Sequence, residues 1–208
     1  LEEIAASLPT SGLGIAPDDF IALVQSEAAE GYLMPGMYDL PRTTSAEAML
    51  WSVRSAFDAA ISDEILDGFE QQGLNLQQAI ILASIVEREA VVADEMPLIA
   101  SVFINRLVVG MKLESDPTVQ YAVGFNASQN SWWTNPISLA DLQFDSPYNT
   151  YIYPGLPPGP ICNPSLNALR AVAFPAQSPY YFFRATCDGS GRHAFAETFQ
   201  EHVNNACP

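Results

Sequence analysis

The chain has 208 residues, of which 49% are hydrophobic, so it can bury the core of one good-sized domain, or of one domain with a small appendage. Its 24 acidic and 8 basic residues give a formal charge of −16, which argues against nucleic acid and anionic membrane surfaces as partners because both would repel it. No run of about 18 apolar residues occurs and no basic segment opens the chain, so the sequence predicts neither a membrane-spanning helix nor an export signal.

The amino-terminal part is predicted to be helical. Two short amphipathic helices are expected at residues 1–8 and 16–30, and we interpret residues 1–29 as the remnant of an N-terminal subdomain. The abrupt opening inside the first helix suggests a piece of a longer protein, and a lost N-terminal anchor would leave no trace here. Residues 30–44 mix aromatic residues with glycine and proline, which is typical of short extended segments with a turn. Helices are then expected at residues 46–60 and 63–72.

A helical hairpin is predicted next, with one helix from Asn75 to about residue 92 and another from Asp94 to Gly110. Residues 112–164 are rich in Pro, Gly, Asn and Tyr, and such an irregular stretch inside a compact domain is more often a binding region than a simple connection. A helix from about residue 163, a β-hairpin at residues 180–196 and a short helix at 197–205 follow. The predicted fold class is α+β: a mainly helical domain built on the helical hairpin, with a small antiparallel sheet from the C-terminal hairpin and the region of Glu30.

The cysteine and histidine content gives little sign of a metal centre. Three cysteines are too few for a disulfide scaffold, and they lack metal-ligand spacing. Cys187 and Cys207 could pair and tie down the C-terminal tail, which would suit an oxidising exterior, or they could remain two free thiols. With only two histidines beside them, a zinc site is not expected.

Glu87 is the candidate catalytic residue that helical periodicity selects. At 100° per residue it falls inside a broad apolar arc with Ile80, Ala83 and Val86, whereas Glu89 lies about 160° away. A carboxyl among apolar side chains is disfavoured as an anion, so its pKa should rise toward the range of a general acid. The alternative is a structural Glu87 that pairs with a basic side chain such as that of Arg88 or Arg106, or that reaches solvent.

Four blocks of sequence together resemble a known family. They are SIVEREA, ASVFINRLVVGMKLESDPTVQYAVG, SPYNTYIYPGLPPGPICNPSLNALRA and YYFFRATCDGSGRHAFAETFQEH, and they are preceded by EGYLMPGMYDL. Their order is similar to that of the MltG/YceG-like endolytic murein transglycosylases, and the resemblance implies that residues 30–208 form the catalytic domain. It also makes residues 1–29 part of the LysM-like subdomain that such proteins carry.

The resemblance implies an enzyme of the bacterial cell envelope, on the outer face of the cytoplasmic membrane. Such enzymes cut nascent peptidoglycan between N-acetylmuramic acid and N-acetylglucosamine and leave a 1,6-anhydro end. The catalytic glutamate lies in the block SIVEREA, which assigns it to Glu87, with Glu89 as the fallback. Family partners are glycan strands and glycan synthases of the penicillin-binding class. No metal or cofactor is implied.

The other blocks supply candidate substrate-binding side chains, each of which also has a structural reading. An amide on a helix can make a purely structural bond, an aspartate before proline can end a turn or cap a helix, and a tyrosine-rich loop can simply pack on the domain. The candidates are Asn105, Asp116, Thr118, Gln120, Tyr121, Tyr148, Asn149, Thr150, Tyr151 and Asn163.

Three further side chains are interpreted as structural. His193 is expected to be a strand residue with a local hydrogen bond, and Trp132 and Trp133 to fill the interior of a loop that matches no family block, although they could stack on sugar rings.

Two other functions remain open. One is a non-catalytic peptidoglycan-binding module, and the other is a glycoside hydrolase that uses Glu87 with Asp116 or Glu89.

Overall fold

The computed structural model describes residues 1–207, which contain nine α-helices and one two-stranded sheet. The fold is thus α+β and mainly helical, as the sequence predicts. The helices are α1 (Glu2–Ser11), α2 (Pro17–Ser26), α3 (Ala46–Ala60), α4 (Asp63–Gln71), α5 (Leu76–Glu89), α6 (Met96–Val109), α7 (Asp116–Val123), α8 (Leu166–Ala173) and α9 (Phe199–Asn204), and the strands are β1 (Phe182–Ala185) and β2 (His193–Ala196).

Side-chain caps explain where several helices begin. The hydroxyls of Ser45, Ser62 and Ser165 accept a hydrogen bond from the first turn of α3, α4 and α8 respectively. Asn75 forms a full capping box with Gln78 at the start of α5. The predicted helical hairpin of α5 and α6 is confirmed, but α5 ends at Glu89 rather than near residue 92. The two valines that follow Ala90 are β-branched residues, which favour extended backbone.

Two features differ from the predictions. Helix α7 lies within the stretch predicted to be irregular, and Asp116 and Pro117 stand in its first turn, where both residue types are favourable. The expectation that the region of Glu30 joins the sheet is wrong, because the sheet of the described chain contains β1 and β2 alone. Residues 30–36 are held by local turns, and by Asn163, instead of by strand pairing.

Two hydrophobic clusters stabilise the domain. The larger cluster is centred on α8, which packs against α4, α5 and α6, and it includes Phe69, Ile80, Phe103 and Leu169. The smaller cluster joins α1 and α2 to α3. Because Leu33 and Leu50 belong to this second cluster, its packing continues beyond residue 29. The proposed domain boundary at residue 30 stays a prediction.

The C-terminal hairpin packs on the turn between α5 and α6. Its strands pair antiparallel, with Phe183 opposite Phe195. His193 approaches Glu95 at 3.1 Å between Nδ1 and Oε2, so it is a strand residue with a local partner, as predicted. Within residues 1–207 no helix is both long enough and apolar enough to cross a bilayer.

Cys187 and Cys207 form a disulfide, which was one of the two possibilities left open by the sequence. Their Cα atoms are 5.4 Å apart, and 20 residues separate them along the chain. The bond fastens the end of α9 to the hairpin loop. Cys162 remains a free thiol, and burial raises its pKa to about 12.

We expect Cys207→Ser to lower the free energy of unfolding by about 3 kcal/mol, because the disulfide removes loop entropy from the unfolded chain. Urea unfolding with and without reductant measures the change. Reductant should destabilise the wild type and leave Cys207→Ser unaffected. Cys162→Ser is the matched control, because it replaces a free thiol and keeps the disulfide. Equal stability of the wild type and Cys207→Ser would contradict the prediction.

Candidate functional site

The last residue of α5, Glu89, lies where α7 begins. Its Oε1 accepts a hydrogen bond from the hydroxyl of Ser115 at 2.5 Å. Burial raises the pKa of Glu89 from 4.5 to about 7, and the nearby charge of Asp116 raises it further, while the Ser115 bond and Arg106 act in the opposite direction. Glu89 is therefore a carboxyl that can be protonated near neutral pH.

The second oxygen of Glu89 is free. No hydrogen bond within residues 1–207 reaches Oε2. The atom is not fully buried either, so it is accessible from the surface. A carboxyl with one oxygen fixed and one open can exchange a proton with a bound molecule.

Asp116 and Tyr151 form the polar wall beside Glu89. The hydroxyl of Tyr151 donates to Oδ1 of Asp116 at 2.6 Å. Burial, followed by the bond to Asp116, raises the pKa of Tyr151, so the tyrosine remains a neutral donor. Lys112 adds a bond from Nζ to the carbonyl of Tyr151 at 2.9 Å. Two of the predicted binding residues therefore do meet a glutamate of SIVEREA, although it is not Glu87.

Beneath this wall, Thr118, Asn149 and Thr150 are almost completely buried, with exposures of 0%, 0% and 1%. The Thr118 and Thr150 hydroxyls are 2.8 Å apart, and the Asn149 amide donates to the carbonyls of residues 142 and 144. The prediction that these three side chains contact substrate is corrected, because none of them reaches the surface. They fix the loop that carries Tyr151.

Arg106 holds the segment that leads into α7. Its guanidinium is buried and donates to the carbonyls of Leu113 at 2.6 Å and of Tyr181 at 2.6 Å. It also lies 3.8 Å from the half-exposed carboxylate of Glu114. Because it joins α6, the hairpin and residues 112–114, Arg106 determines where α7 starts.

Glu87 has a different environment from the one predicted. Its Oε2 accepts two hydrogen bonds from Ser165, from the backbone N–H at 3.0 Å and from the hydroxyl at 2.5 Å. Ser165 is the residue before α8, so Glu87 anchors the N-terminus of that helix, where a negative charge is favourable. The helical-wheel prediction placed Glu87 among apolar side chains and Glu89 outside them. The surroundings reverse this, because α7 covers Glu89.

A second cluster of polar side chains surrounds Glu30. The Tyr121 hydroxyl donates to Glu30 Oε2 at 2.6 Å, and the rings of Tyr121 and Tyr148 are 4.8 Å apart. Burial, together with Glu30, raises the pKa of Tyr121. The Asn163 side chain accepts from the backbone N–H groups of Gly31 and Leu33 at 2.8 and 3.2 Å. A Cβ on Gly31 would come within 2.5 Å of Pro160, so only glycine allows this approach.

A cavity of about 410 Å³ separates the N-terminal helices from α5. Its lining includes Glu30, Glu87, Arg88, Trp133 and Asn163, but Glu89 does not border it. The cavity therefore favours Glu87 as the residue that faces a ligand. The raised pKa of Glu89 and its free Oε2 favour Glu89 as the residue that donates a proton. Within residues 1–207 no group of three or more His, Cys, Asp and Glu side chains is placed to hold a metal ion.

The remaining candidates make contacts within the protein. The Asn105 amide donates to the carbonyls of Ser178 and Tyr180 at 2.9 Å each, and the Gln120 amide donates to the carbonyl of Thr134 at 2.7 Å. These bonds commit both amide nitrogens to neighbouring backbone, so neither residue joins the group at Glu89.

The two tryptophans are held by protein contacts. The Arg88 guanidinium lies 3.6 Å from the ring centre of Trp133, and the Trp133 indole nitrogen is 3.3 Å from Glu3. Trp132 packs on Phe125, with 5.2 Å between the ring centres. Trp133 thus contacts α1 and α5 and borders the cavity instead of filling the interior of its own loop, and the structural interpretation of the two tryptophans stays a prediction.

Sequence reasoning missed Ser115. The signal available was its position directly before Asp116 and Pro117, which is typical of a helix N-cap. That pattern predicts a structural role, and nothing in it shows that the hydroxyl turns toward Glu89.

Comparison with known proteins identifies relatives of this chain. A profile of the YceG-like family matches residues 1–207. The endolytic murein transglycosylase of Bacillus subtilis is 34% identical over 178 residues, which cover 83% of this chain and 46% of that protein. That of Streptococcus pneumoniae serotype 2 is 32% identical over 176 residues, which cover 85% and 31%. The chain thus spans less than half the length of these relatives.

A solved structure shares the fold. The crystal structure of a YceG-like protein from Listeria monocytogenes superposes with a TM-score of 0.72 at 32% sequence identity, and the match covers 90% of this chain and 64% of that one.

We expect Glu87→Gln to lower the free energy of unfolding at pH 8 by about 1–2 kcal/mol, because two charge-assisted bonds to the start of α8 become neutral ones. Urea unfolding measures the change. Glu89→Gln is the matched control on the same helix and should be no less stable than the wild type at that pH. A larger loss in Glu89→Gln than in Glu87→Gln would contradict the anchoring role.

Glu89 should also make stability depend on pH. Its pKa in the folded state is raised from 4.5 to about 7, so between these values the folded chain binds more protons than the unfolded chain. This contribution is fully present below pH 4.5 and is lost as the pH rises through 7, by about 3 kcal/mol in total. Unfolding at several pH values should show the loss in the wild type and not in Glu89→Gln. Parallel curves for the two proteins would contradict the raised pKa.

Proposed function

Because this chain belongs to the YceG-like family, we propose that it is the catalytic domain of an endolytic murein transglycosylase. Its substrate is the glycan strand of peptidoglycan, cut between N-acetylmuramic acid and N-acetylglucosamine with a 1,6-anhydro end as product. Relatives with 32–34% identity are endolytic murein transglycosylases, which supports the reaction class.

The observation that carries the assignment of the acid is the state of Glu89. Its pKa is raised to about 7, its Oε1 is fixed by Ser115 and its Oε2 is open. We therefore assign the general acid to Glu89, which replaces Glu87 as our first choice. Glu87 remains the alternative because it borders the cavity next to α5.

The reaction needs a single carboxyl group, which acts first as an acid and then as a base. Protonated Glu89 gives its proton to the glycosidic oxygen, and the bond from that oxygen to the anomeric carbon of the muramyl residue breaks. The 6-hydroxyl of the same sugar then attacks the anomeric carbon, and the Glu89 carboxylate takes the hydroxyl proton. The new C1–O6 bond closes the anhydro ring, and Glu89 is again protonated.

Asp116 and Tyr151 stand beside the proposed acid. Positive charge develops at the anomeric carbon as the glycosidic bond breaks, and a fixed negative charge nearby stabilises it. Asp116 can supply that charge, since the Tyr151 hydroxyl holds it in place at 2.6 Å. The same pair of carboxylates supports the second candidate, a hydrolase in which Asp116 activates water and the product is a reducing sugar.

We further propose that the protein works at the outer face of the cytoplasmic membrane. The disulfide between Cys187 and Cys207 supports an oxidising compartment. Attachment through an N-terminal anchor and contact with penicillin-binding glycan synthases remain proposals taken from the family resemblance.

Mass spectrometry of the products from purified glycan strands tests the function. We expect anhydro-muramyl ends from the wild type, a loss of at least about 1,000-fold in Glu89→Gln and a smaller loss in Glu87→Gln. Reducing ends from the wild type would favour the hydrolase. Activity lost in Glu87→Gln and kept in Glu89→Gln would return the acid to Glu87. A folded but inactive wild type that still binds strands would favour a binding module.

A further inference from the structure

Ser115 precedes α7 in the position of an N-cap, but its hydroxyl does not cap the helix. Serines stand in the same position before α3, α4 and α8, and each of those hydroxyls accepts a hydrogen bond from the first turn of its helix. Among the helices of residues 1–207 that follow a serine, α7 is the exception. Its serine forgoes a favourable capping bond.

The Ser115 hydroxyl instead donates to Oε1 of Glu89 at 2.5 Å. Ser115 is 1% exposed, and its backbone is held on both sides. Its N–H donates to Thr150 Oγ1 at 3.0 Å, and its carbonyl accepts from the Thr118 hydroxyl at 2.7 Å. The threonines therefore fix the serine, and the serine fixes one oxygen of the glutamate.

We propose that Ser115 is a positioning residue of the site, which holds Oε1 of Glu89 and leaves Oε2 to release and recover the proton. The inference rests on the proposed role of Glu89 as the acid. While Glu89 is protonated, Oε1 accepts the serine hydroxyl as a carbonyl oxygen, so the acidic proton is kept on the open side.

The serine bond also favours the step that the reaction needs. A hydrogen bond to a carboxylate is stronger than one to a neutral acid, so the contact tightens as Glu89 gives up its proton. It thereby stabilises the intermediate state, in which the proton has moved to the leaving sugar and the carboxylate faces the anomeric carbon.

The charged and titratable neighbours of Glu89 give the direction of the effect. Asp116 on α7 raises its pKa, and Arg106 on α6 lowers it. Tyr151, in the adjoining loop, is a neutral donor to Asp116, and Glu114 faces Arg106. Removing the Ser115 hydroxyl alone leaves all of these groups in place, so the pKa of Glu89 should rise.

The first test is independent of catalysis. The side-chain carboxyl carbon of Glu89 is titrated by NMR in the whole chain of the wild type, Ser115→Ala and Ser115→Thr. We expect the midpoint to rise by about 1 pH unit in Ser115→Ala and to stay at the wild-type value in Ser115→Thr, which keeps the hydroxyl. Ser115→Cys, whose thiol is a weak donor, should also raise it and serves if Ser115→Ala does not fold.

Ser165→Ala is the matched control. It removes the hydroxyl that donates to Glu87 at 2.5 Å, the same distance as from Ser115 to Glu89. Glu87 and Glu89 lie on the same helix, α5. Ser165→Ala should destabilise the start of α8 and leave the Glu89 midpoint unchanged. An unchanged midpoint in both Ser115→Ala and Ser115→Cys would overturn the proposal.

The second test measures rates on glycan strands. In Ser115→Ala we expect kcat to fall about 10- to 100-fold, KM to stay within about threefold, and the pH at which kcat/KM declines to move upward, with Ser115→Thr close to the wild type. If Glu89→Gln is active or no anhydro product forms, the proposed function fails, while the NMR midpoint still decides the contact. If Glu89→Gln is inactive and Ser115→Ala keeps the wild-type rate and pH profile, the positioning role alone fails.

Discussion

The proposed site depends on how α7 covers the end of α5. Glu89 is the last residue of α5, and without α7 its carboxyl would face water and behave as an ordinary surface glutamate. The start of α7 is placed by Arg106, whose buried guanidinium donates to the carbonyls of Leu113 and Tyr181. A buried cation is tolerated because its donors are matched by carbonyls and by the carboxylate of Glu114. The proposed acid, Glu89, therefore depends on Arg106, a buried cation on the next helix, α6.

Glu87 and Glu89 lie on the same helix, α5, but they have different roles because their neighbouring residues differ. Each accepts a serine hydroxyl at 2.5 Å. Glu87 also accepts a backbone N–H at the start of α8, where the helix dipole favours negative charge. Glu89 accepts the hydroxyl alone and has Asp116 as a neighbour, which disfavours a second negative charge. Periodicity separates the two residues, but the partners that other helices bring to them decide which one can hold a proton.

The sequence predicted those parts of the fold whose cause is local. Ser45, Ser62 and Asn75 mark helix starts with capping side chains, and the hairpin of β1 and β2 follows from a run of aromatic residues and the glycine-containing turn after it. The site was harder, because the surroundings of Glu89 come from Ser115, which is 26 residues further along the chain. A helical wheel contains only the residues of its own helix. It therefore cannot show that α7 covers one side of α5 and that α8 needs an anchor on the other.

A single carboxyl that acts first as acid and then as base needs a pKa close to the working pH. An exposed glutamate would be almost fully ionised at pH 7 and would rarely carry the proton to donate, whereas one buried without partners would retain it too strongly to return as a base. In Glu89 desolvation pushes the pKa up, and Ser115 and Arg106 hold it near 7. This balance suits the one-carboxyl reaction better than a hydrolase, whose acid and base can be tuned separately on two residues. The same contact that orients the Glu89 proton therefore also limits how tightly it is held.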